Sequence, residues 1–395
     1  MFRLFRRLRL GLAAPVLFTL TAPAAAGPLA TTLDQTIAGL LAATNTPGAA
    51  VSVTVGGQSR YRGTQGFAKV ESATPFTTGT LSSVASVTKL FTATLIYRLN
   101  ELGRLSLDAP IATYLPAGIP GAADVTVRNL VNHTAGYADI ERLPAFLAAQ
   151  ADPNHVWTRD ELTQPITAPQ FTPGSQYDYS NTNYLLLGQI IDGVYTGGTA
   201  AAFRDLIARP AGLGDSVVWE RDPAAAARVA DGYVTQGGQT VNVNAGAQDL
   251  GVNTSVWGPI WTEGGIVATA EGLTRFANAL YGGLLLDVAG TAAFLDGSAN
   301  DPTVPATPPA YAGHLGAFNG YVAALIYLPE QQVALGVVAN ALDMDTAAQL
   351  AFVSGLLGAV QDGLAQEVPE PASLALLGMG LALLAATRRR TALRP

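Results

Sequence analysis

The sequence predicts an α/β (α+β) fold: one antiparallel sheet built from both termini, flanked by helices, with a mainly helical lobe inserted between its halves. Three observations predict it. Residues 49–55 alternate small, polar and β-branched side chains, and Gly56-Gly57 turns them into Ser59-Arg60-Tyr61-Arg62, an early hairpin. Two apolar runs near the other end, 321–328 and 333–339, flank Pro329-Glu330-Gln331 and form a late hairpin. Between them, from about 105 to 260, the chain reads as helical pieces punctuated by proline and glycine, with no long strand pattern. Strands at both ends of a helical middle place the two hairpins in one sheet.

Taken in order, Met1 to Ala26 has a basic start (Arg3, Arg6, Arg7, Arg9), an apolar run from Leu10 to Leu20 and a small-residue site at Ala24-Ala25-Ala26. This is the pattern of a secretory signal peptide, residues 1–26, and is set apart from fold reasoning. Leu33, Ile37, Leu40 and Leu41 follow helical spacing and stop at Asn45-Thr46-Pro47-Gly48. The early hairpin comes next, and then Val87, Leu90, Phe91, Leu95, Leu99 and Leu102, a helix of about four turns that Gly103 ends. Asp160-Glu161 reads as an acidic helix start. The proline-rich stretch 302–309 reads as a surface loop, and a helix is expected over about 346–360 after the late hairpin. From residue 367 onward, Val368-Pro369-Glu370-Pro371 precedes an apolar stretch from Ala372 to Thr387 and the cluster Arg388-Arg389-Arg390. This stretch of sixteen residues falls slightly short of the roughly 20 that a free-standing span needs, and the arginines would hold their end in the cytoplasm.

Composition narrows the chemistry. With 395 residues, 49% of them hydrophobic, the chain buries a large core. It has no cysteine, which excludes disulfides, thiolate catalysis and cysteine-ligated metal. His133, His155 and His314 are its only histidines and lie far apart with no metal-ligand spacing, so a metal is not expected, and the hydrolytic reactions considered below imply no other cofactor. Eight of the 22 basic residues sit in the two terminal segments, leaving an acidic body with no means of tracking a phosphate backbone. Nucleic acid is therefore not an expected partner.

Ser86-Val87-Thr88-Lys89 carries the most information about activity. The chain contains two lysines, Lys69 and Lys89, against twenty arginines, and one of the two lies three residues after a serine. Positions i and i+3 of a helix share a face, so hydroxyl and amine meet within proton-transfer reach. Arginine would not serve, because it keeps its proton at any working pH. The pattern is that of a serine nucleophile activated by lysine. A serine that opens a helix also has its own N–H directed at an oxyanion, where the helix dipole favours negative charge.

Two further clusters follow. Tyr179-Ser180-Asn181, on a loop entering a helix, offers a phenol that relays a proton and an amide that holds a substrate carbonyl, with Tyr177 as a competitor for the phenol role. Gly313-His314-Leu315-Gly316-Ala317 precedes the late hairpin; glycine there lets substrate lie against a strand, and the Ala317 N–H is the candidate second oxyanion donor.

In that order, Ser-x-x-Lys, Tyr-x-Asn and His-x-Gly resemble the serine β-lactamase and penicillin-binding protein superfamily, in its class C β-lactamase, D,D-peptidase and esterase branch. The flanking segments Leu105–Asp108, Thr126–Gly136 and Gly264–Ala270 resemble it too, so the likeness spans roughly residues 30 to 360. It implies a β-lactamase/transpeptidase-like fold over a body of residues 27–366, with Ser86 as acylated nucleophile, Lys89 as its proton partner and Tyr179 as general base. Asn181, His314, Gly316 and Ala317 would contact substrate, with His314 standing where many members carry lysine. Leu315 stands where members that bind a substrate carboxylate place Thr or Ser, which implies weak or absent antibiotic hydrolysis. His133 looks structural by the same resemblance, and His155 reads as a loop residue.

Residues 367–395 resemble the PEP-CTERM sorting signal of Gram-negative bacteria. That implies export across the inner membrane, transient anchoring by the C-terminal segment, and exosortase-type machinery as a partner.

The expected activity is an exported serine hydrolase acting on small ester, amide or peptidoglycan-derived substrates. Alternatives are a true β-lactamase and a catalytically silent, surface-displayed binding protein on the same fold. An α/β-hydrolase would need a G-x-S-x-G elbow, and the sequence has none. Tyr233, Trp257 and Trp261 are candidates for lining the acyl or leaving-group side.

Overall fold

Helix α1 (Pro28–Thr44) buries Leu29, Leu33, Ile37 and Leu41 along one stripe and ends at Asn45, whose left-handed φ of 50° lets its N–H reach the Leu41 carbonyl. The computed structural model describes residues 27–149, 157–219, 225, 227–244, 261–293, 311–340 and 346–367. The signal and sorting segments, His155, Trp257 and the proline-rich stretch 302–309 lie outside the described residues.

The chain turns from α1 into β1 (Gly48–Val55), β2 (Gln58–Lys69) and the short β3 (Thr74–Pro75). Near the other end come β9 (Ala312–Phe318), β10 (Tyr321–Leu328) and β11 (Val333–Ala339). All six form one antiparallel sheet in the order β3-β2-β1-β11-β10-β9. Its centre is the pairing of β1 with β11, Ala49 opposite Ala339 and Val55 opposite Val333, so the two ends of the chain meet there as the two hairpins predict.

Strand β2 runs seven residues beyond the expected Arg62. Most of its positions are exposed or half-buried, so no apolar alternation marks its length.

Alternation assigns each face of the sheet to a layer. Val51, Val53, Leu315, Ala324, Ile326, Leu335 and Val337 pack against α1 and the final helix α11 (Thr346–Glu367), which continues past its expected end. Ala50, Ala323, Leu325, Tyr327 and Val338 face the other way, into the larger core shared with the inserted lobe.

That lobe is threaded by α2 (Thr88–Glu101), which buries Leu90, Phe91, Leu95, Ile96 and Leu99 on more than one side. A helix apolar around most of its circumference belongs in a core. It ends at Leu102, with Gly103 at φ 65° where the sequence predicts a stop. Around it lie α3 (Val127–Val131), α4 (Pro144–Ala149), α5 (Arg159–Thr163), α6 (Asn181–Val194) and α7 (Gly198–Phe203), the last continuing as a π-helical turn over Arg204–Ala208. Thr158 and Glu161 cap α5 reciprocally, which explains the acid at its start.

The middle is not purely helical. β4 (Ser82–Ser83), β5 (Val217–Trp219) and β8 (Ile266–Ala268) form a three-stranded sheet, and β6 (Tyr233–Gln236) pairs with β7 (Gln239–Asn242). None exceeds four residues, too short to leave a period-2 signature. The short α8 (Trp261–Gly264) leads into β8, and α9 (Ala270–Tyr281) then lies across β11, where Gly336 faces the Ala270 carbonyl so closely that a Cβ would come within 2.4 Å of it. Helix α10 (Val288–Ala293) completes the described lobe.

Candidate active site

The chain reverses sharply between β4 and α2, and Ser86 sits on that corner. Ala85 takes a left-handed φ of 44°, with its N–H on Ser83 Oγ at 3.2 Å, and Ala85–Val87 forms a single 3-10 turn before α2 begins at Thr88. Ser86 therefore precedes the α-helix by two residues instead of being its first member. Left-handed backbone at a residue with a Cβ is strained, and here the strain turns the serine toward the edge strand β9.

Lys89 lies one turn further on and is wholly buried. Its Nζ donates to Ser86 Oγ (3.2 Å), Asn181 Oδ1 (2.7 Å), the Glu263 carbonyl (2.9 Å) and Glu263 Oε2 (3.2 Å). The Tyr179 hydroxyl donates to Ser86 Oγ at 2.9 Å, so lysine and tyrosine converge on one oxygen. Tyr177, the competing phenol, is 47% exposed and lies edge-on to His133, at 6.0 Å between rings.

His133 explains how Tyr179 is held. It adopts φ 54°, its ring stacks on Tyr179 at 4.3 Å, and its Nδ1 accepts the Ser180 N–H at 3.1 Å. Nδ1 is thereby the unprotonated nitrogen. Burial, aided by the Lys89 charge and by His314, drives this imidazole well below its usual pKa, so it is neutral. This is the structural role expected of it.

Asn181 opens α6 in the pocket wall. Its polar atoms are already engaged: Oδ1 accepts from Lys89, and Nδ2 donates to Glu141 Oε2 at 2.9 Å and to Asp139 Oδ2 at 3.4 Å. Direct contact of its amide with substrate would require exchanging one of these bonds.

Strand β9 closes the other side. Phe318 and Tyr321 flank the two-residue turn Asn319-Gly320, both of positive φ, the geometry in which the flanking pair exchanges ladder hydrogen bonds. Bonding then alternates along β9, so Phe318, Gly316 and His314 turn toward β10 while the Ala317 N–H points out of the sheet edge. That edge packs on the Ala85–Val87 turn. Gly316 permits the approach: a Cβ there would stand 2.2 Å from the Val84 carbonyl and 3.2 Å from the Ser86 nitrogen.

His314 is buried on the Ser86 side of the sheet, with Nδ1 against the Leu315 carbonyl, and is absent from the pocket wall. Leu315, the next residue, turns the other way. Its side chain packs in the layer of α1 and α11, on the opposite face from Ser86, because adjacent strand residues point to opposite sides. Tyr233 hydrogen-bonds to Val70 and Glu71, and Trp261 is buried against Gly188; neither lines the pocket.

The pocket is lined by Ala85, Ser86, Glu141, Asn181, Glu263, Gly264, Ala317 and Phe318. Sequence reasoning missed its two carboxylates. Glu263 precedes a glycine pair within the segment that resembles the family, and a charge in that apolar setting was the available signal; Glu141 carried none. Burial pushes both carboxyls up, Glu263 strongly and with the neighbouring Glu141 adding to it. Burial pulls Lys89 down, but Tyr179 and Glu263 beside it outweigh that and leave its pKa raised. Tyr179 is raised by burial against the opposing pull of Lys89 and Ser86. At neutral pH the group thus holds an ammonium and a phenol.

A corner serine bonded to a buried lysine and a tyrosine, beside the last strand of a sheet made from both termini, defines a serine hydrolase of the Ser-x-x-Lys class. Residues 33–358 match the family model described as Beta-lactamase, and the chain belongs to that family. Residues 367–390 match the PEP-CTERM protein-sorting motif. Among individual proteins, the chain is 33% identical over 214 residues to Esterase EstB of Burkholderia gladioli, covering 51% of this chain and 53% of that one. It is 31% identical over 185 residues to Penicillin-binding protein 4* of Bacillus subtilis (strain 168), covering 45% and 40%. The chain thus spans about half or less of the length of these curated relatives. The structure of D-amino acid amidase from Ochrobactrum anthropi SV3, complexed with L-phenylalanine amide, superimposes with a TM-score of 0.67 at 26% identity, covering 84% of this chain and 99% of that one.

Proposed function

We propose that this protein is an exported serine hydrolase that forms an acyl-enzyme on Ser86 and acts on small ester or amide substrates. The observation that carries the reading is the convergence of Lys89 Nζ and the Tyr179 hydroxyl on Ser86 Oγ, at 3.2 and 2.9 Å. In this reading Lys89 first gives up its own proton; Ser86 Oγ then attacks the acyl carbon and its proton passes to the Lys89 amine, with Tyr179 as relay. The N–H groups of Ser86 and Ala317 hold the oxyanion, and the leaving group departs with the transferred proton. Water then attacks the acyl-enzyme with the same base pair.

Glu141 and Glu263 in the pocket wall favour acyl groups without a carboxylate beside the scissile bond, which supports ester substrates over penicillins or D-alanine termini. Likeness to the D-amino acid amidase supports D-amino acid amides as a second substrate class. The PEP-CTERM motif supports export with initial anchoring by the C-terminal segment, exosortase-type processing, and a final place in the periplasm, on the outer surface or outside the cell.

The test is intact mass and turnover of the purified chain with a p-nitrophenyl acyl ester and, separately, a fluorescent penicillin, with Ser86→Ala as control. Ester turnover that vanishes in the variant is the expected result. No adduct and no turnover with either reagent would leave a silent binding protein.

A further inference from the structure

The Glu141 and Glu263 carboxyl groups are set against each other beside the buried lysine, and the reaction as described above gives them no task. Glu263 is 3% exposed and sends Oε2 to Lys89 Nζ, while its Oε1 meets no N–H or O–H donor among the described residues. The adjacent side chain is the Glu141 carboxyl, within hydrogen-bonding reach of Glu263 and fixed on its other side by the Asn181 amide. Two bare carboxylates cannot share a dry site, and a carboxylate cannot serve the orphan Oε1 unless it carries a proton. One proton between the two satisfies both constraints.

We propose that Glu141 and Glu263 hold one shared proton and form the sink for the proton that Lys89 must give up before Ser86 can be activated. This inference rests on the acyl-enzyme reading above. Of the oxygens that accept from Lys89 Nζ, those of Ser86, Asn181 and the Glu263 backbone belong to neutral groups, so the Glu263 carboxyl is the acceptor positioned to take its proton. Transfer from Nζ to Glu263 Oε2 leaves a neutral amine beside a doubly protonated carboxyl pair. In a buried site such a neutral arrangement lies close in energy to the ion pair, because neither charge is hydrated. The amine then accepts the Ser86 Oγ proton, directly or while Tyr179 passes its own proton on. The Oγ–C bond forms, the bond to the leaving group breaks, and the Ser86 proton leaves with that group. Afterwards Glu263 returns its proton to Lys89, so the protein ends the cycle unchanged. Glu263 acts through Lys89 and is a positioning residue in this sense.

The charged and titratable groups facing the pair are Lys89 from α2, Tyr179 from the loop before α6, and Asp139 and Arg142 beside Glu141. Arg142 is 76% exposed at its side chain and 3.8 Å from Asp139, so among the described residues Lys89 is the cation that faces the pair from within the site. When pH falls far enough to protonate both carboxyls, the sink is full and activity is lost.

The test reads the pair in two ways. Infrared spectra of the unmodified chain at neutral pH should contain a protonated carboxylic-acid band that is lost in Glu141→Gln, where the remaining Glu263 ion-pairs with Lys89. Profiles of kcat/KM against pH with a p-nitrophenyl ester should place the acid limb of Glu141→Gln about one unit or more above that of the unmodified chain, because the shared proton that holds the pair's first ionisation low is gone. Glu263→Gln should lose that limb and fall roughly 10²-fold on the plateau. Absence of a protonated carboxyl at neutral pH in the unmodified chain, or acid limbs that coincide in all three proteins, would overturn the proposal. Turnover that survives in Ser86→Ala would instead sink the acyl-enzyme reading itself.

Discussion

His133 shows how much one residue outside the reacting atoms decides. Its Nδ1 is the acceptor for the Ser180 N–H, and its ring is the platform on which Tyr179 lies. Replacing it by alanine orphans a buried donor, so His133→Ala should cost about 2–4 kcal/mol, from the unmet hydrogen bond and the cavity together, as read by urea unfolding. The same residue makes stability depend on pH. Its folded pKa is depressed from the reference value of 6.5, so the unfolded chain binds a proton that the folded chain refuses. Stability from this source is complete above about 6.5 and declines as pH falls below it. The buried carboxyls run the other way: their raised pKa values give stability that is present below the ordinary carboxylate range and is lost as pH rises. Unfolding free energies for the unmodified chain and His133→Gln, compared between pH 7.5 and 5.5, separate the two, because only the unmodified chain carries the histidine contribution. Equal pH slopes in the two proteins would show that the imidazole is not held neutral.

At the scale of elements, the site is a meeting of three pieces that do not touch in sequence: the turn before α2, the entry to α6, and the edge strand β9. Their spacing depends on backbone approach. Gly188 of α6 sits where a Cβ would be 2.4 Å from Thr262 Oγ1, which brings α6 and its Asn181 down onto α8 and its Glu263. Gly316 does the same for β9. A methyl group there must displace either the strand or the Val84–Ser86 turn, since a 2.2 Å contact with a backbone oxygen cannot be relieved by a side-chain rotation. Gly316→Ala should therefore move the Ala317 N–H out of line with Ser86 and lower kcat/KM for an ester by roughly 10²-fold, the scale of one lost oxyanion donor. Circular dichroism should show the fold retained. A variant with full activity would mean that β9 does not supply the second donor.

For the whole molecule, the central pairing of β1 with β11 makes the last third of the chain a condition of the fold, and α11 seals the sheet face that pairing creates. Phe352, Val353, Leu356, Ala359 and Val360 are all buried against it. Their burial is worth on the order of 10 kcal/mol, as much as a typical domain's entire stability. Truncation before residue 346 should give insoluble protein, whereas truncation after Glu367 should give a soluble body with unaltered ester turnover, judged by gel filtration and thermal melting. Both hairpins, α1, α2 with its stop at Gly103, and the pairing of Ser86 with Lys89 were legible in the sequence, because each rests on local spacing: period-2 or helical apolar patterns, turn residues, and side chains a few positions apart; Tyr179, far along the chain, came forward only through the resemblance of its motif. The strands β4 to β8 were too short to show a period, and β2 was too exposed to show its length. The face on which Leu315 points depends on register, which no local pattern reveals. Glu141 and Glu263 stand 122 positions apart, and neither is unusual until burial brings them together and removes the water that would keep both ionised. The sequence by itself thus determined the class of chemistry and the order of elements, since those are matters of residue type and short-range spacing. Only the tertiary structure decided which face Leu315 occupies, what Asn181 is bonded to, and that a carboxyl pair stands behind the lysine, since those depend on long-range packing and on a local dielectric that exists only once the chain has folded.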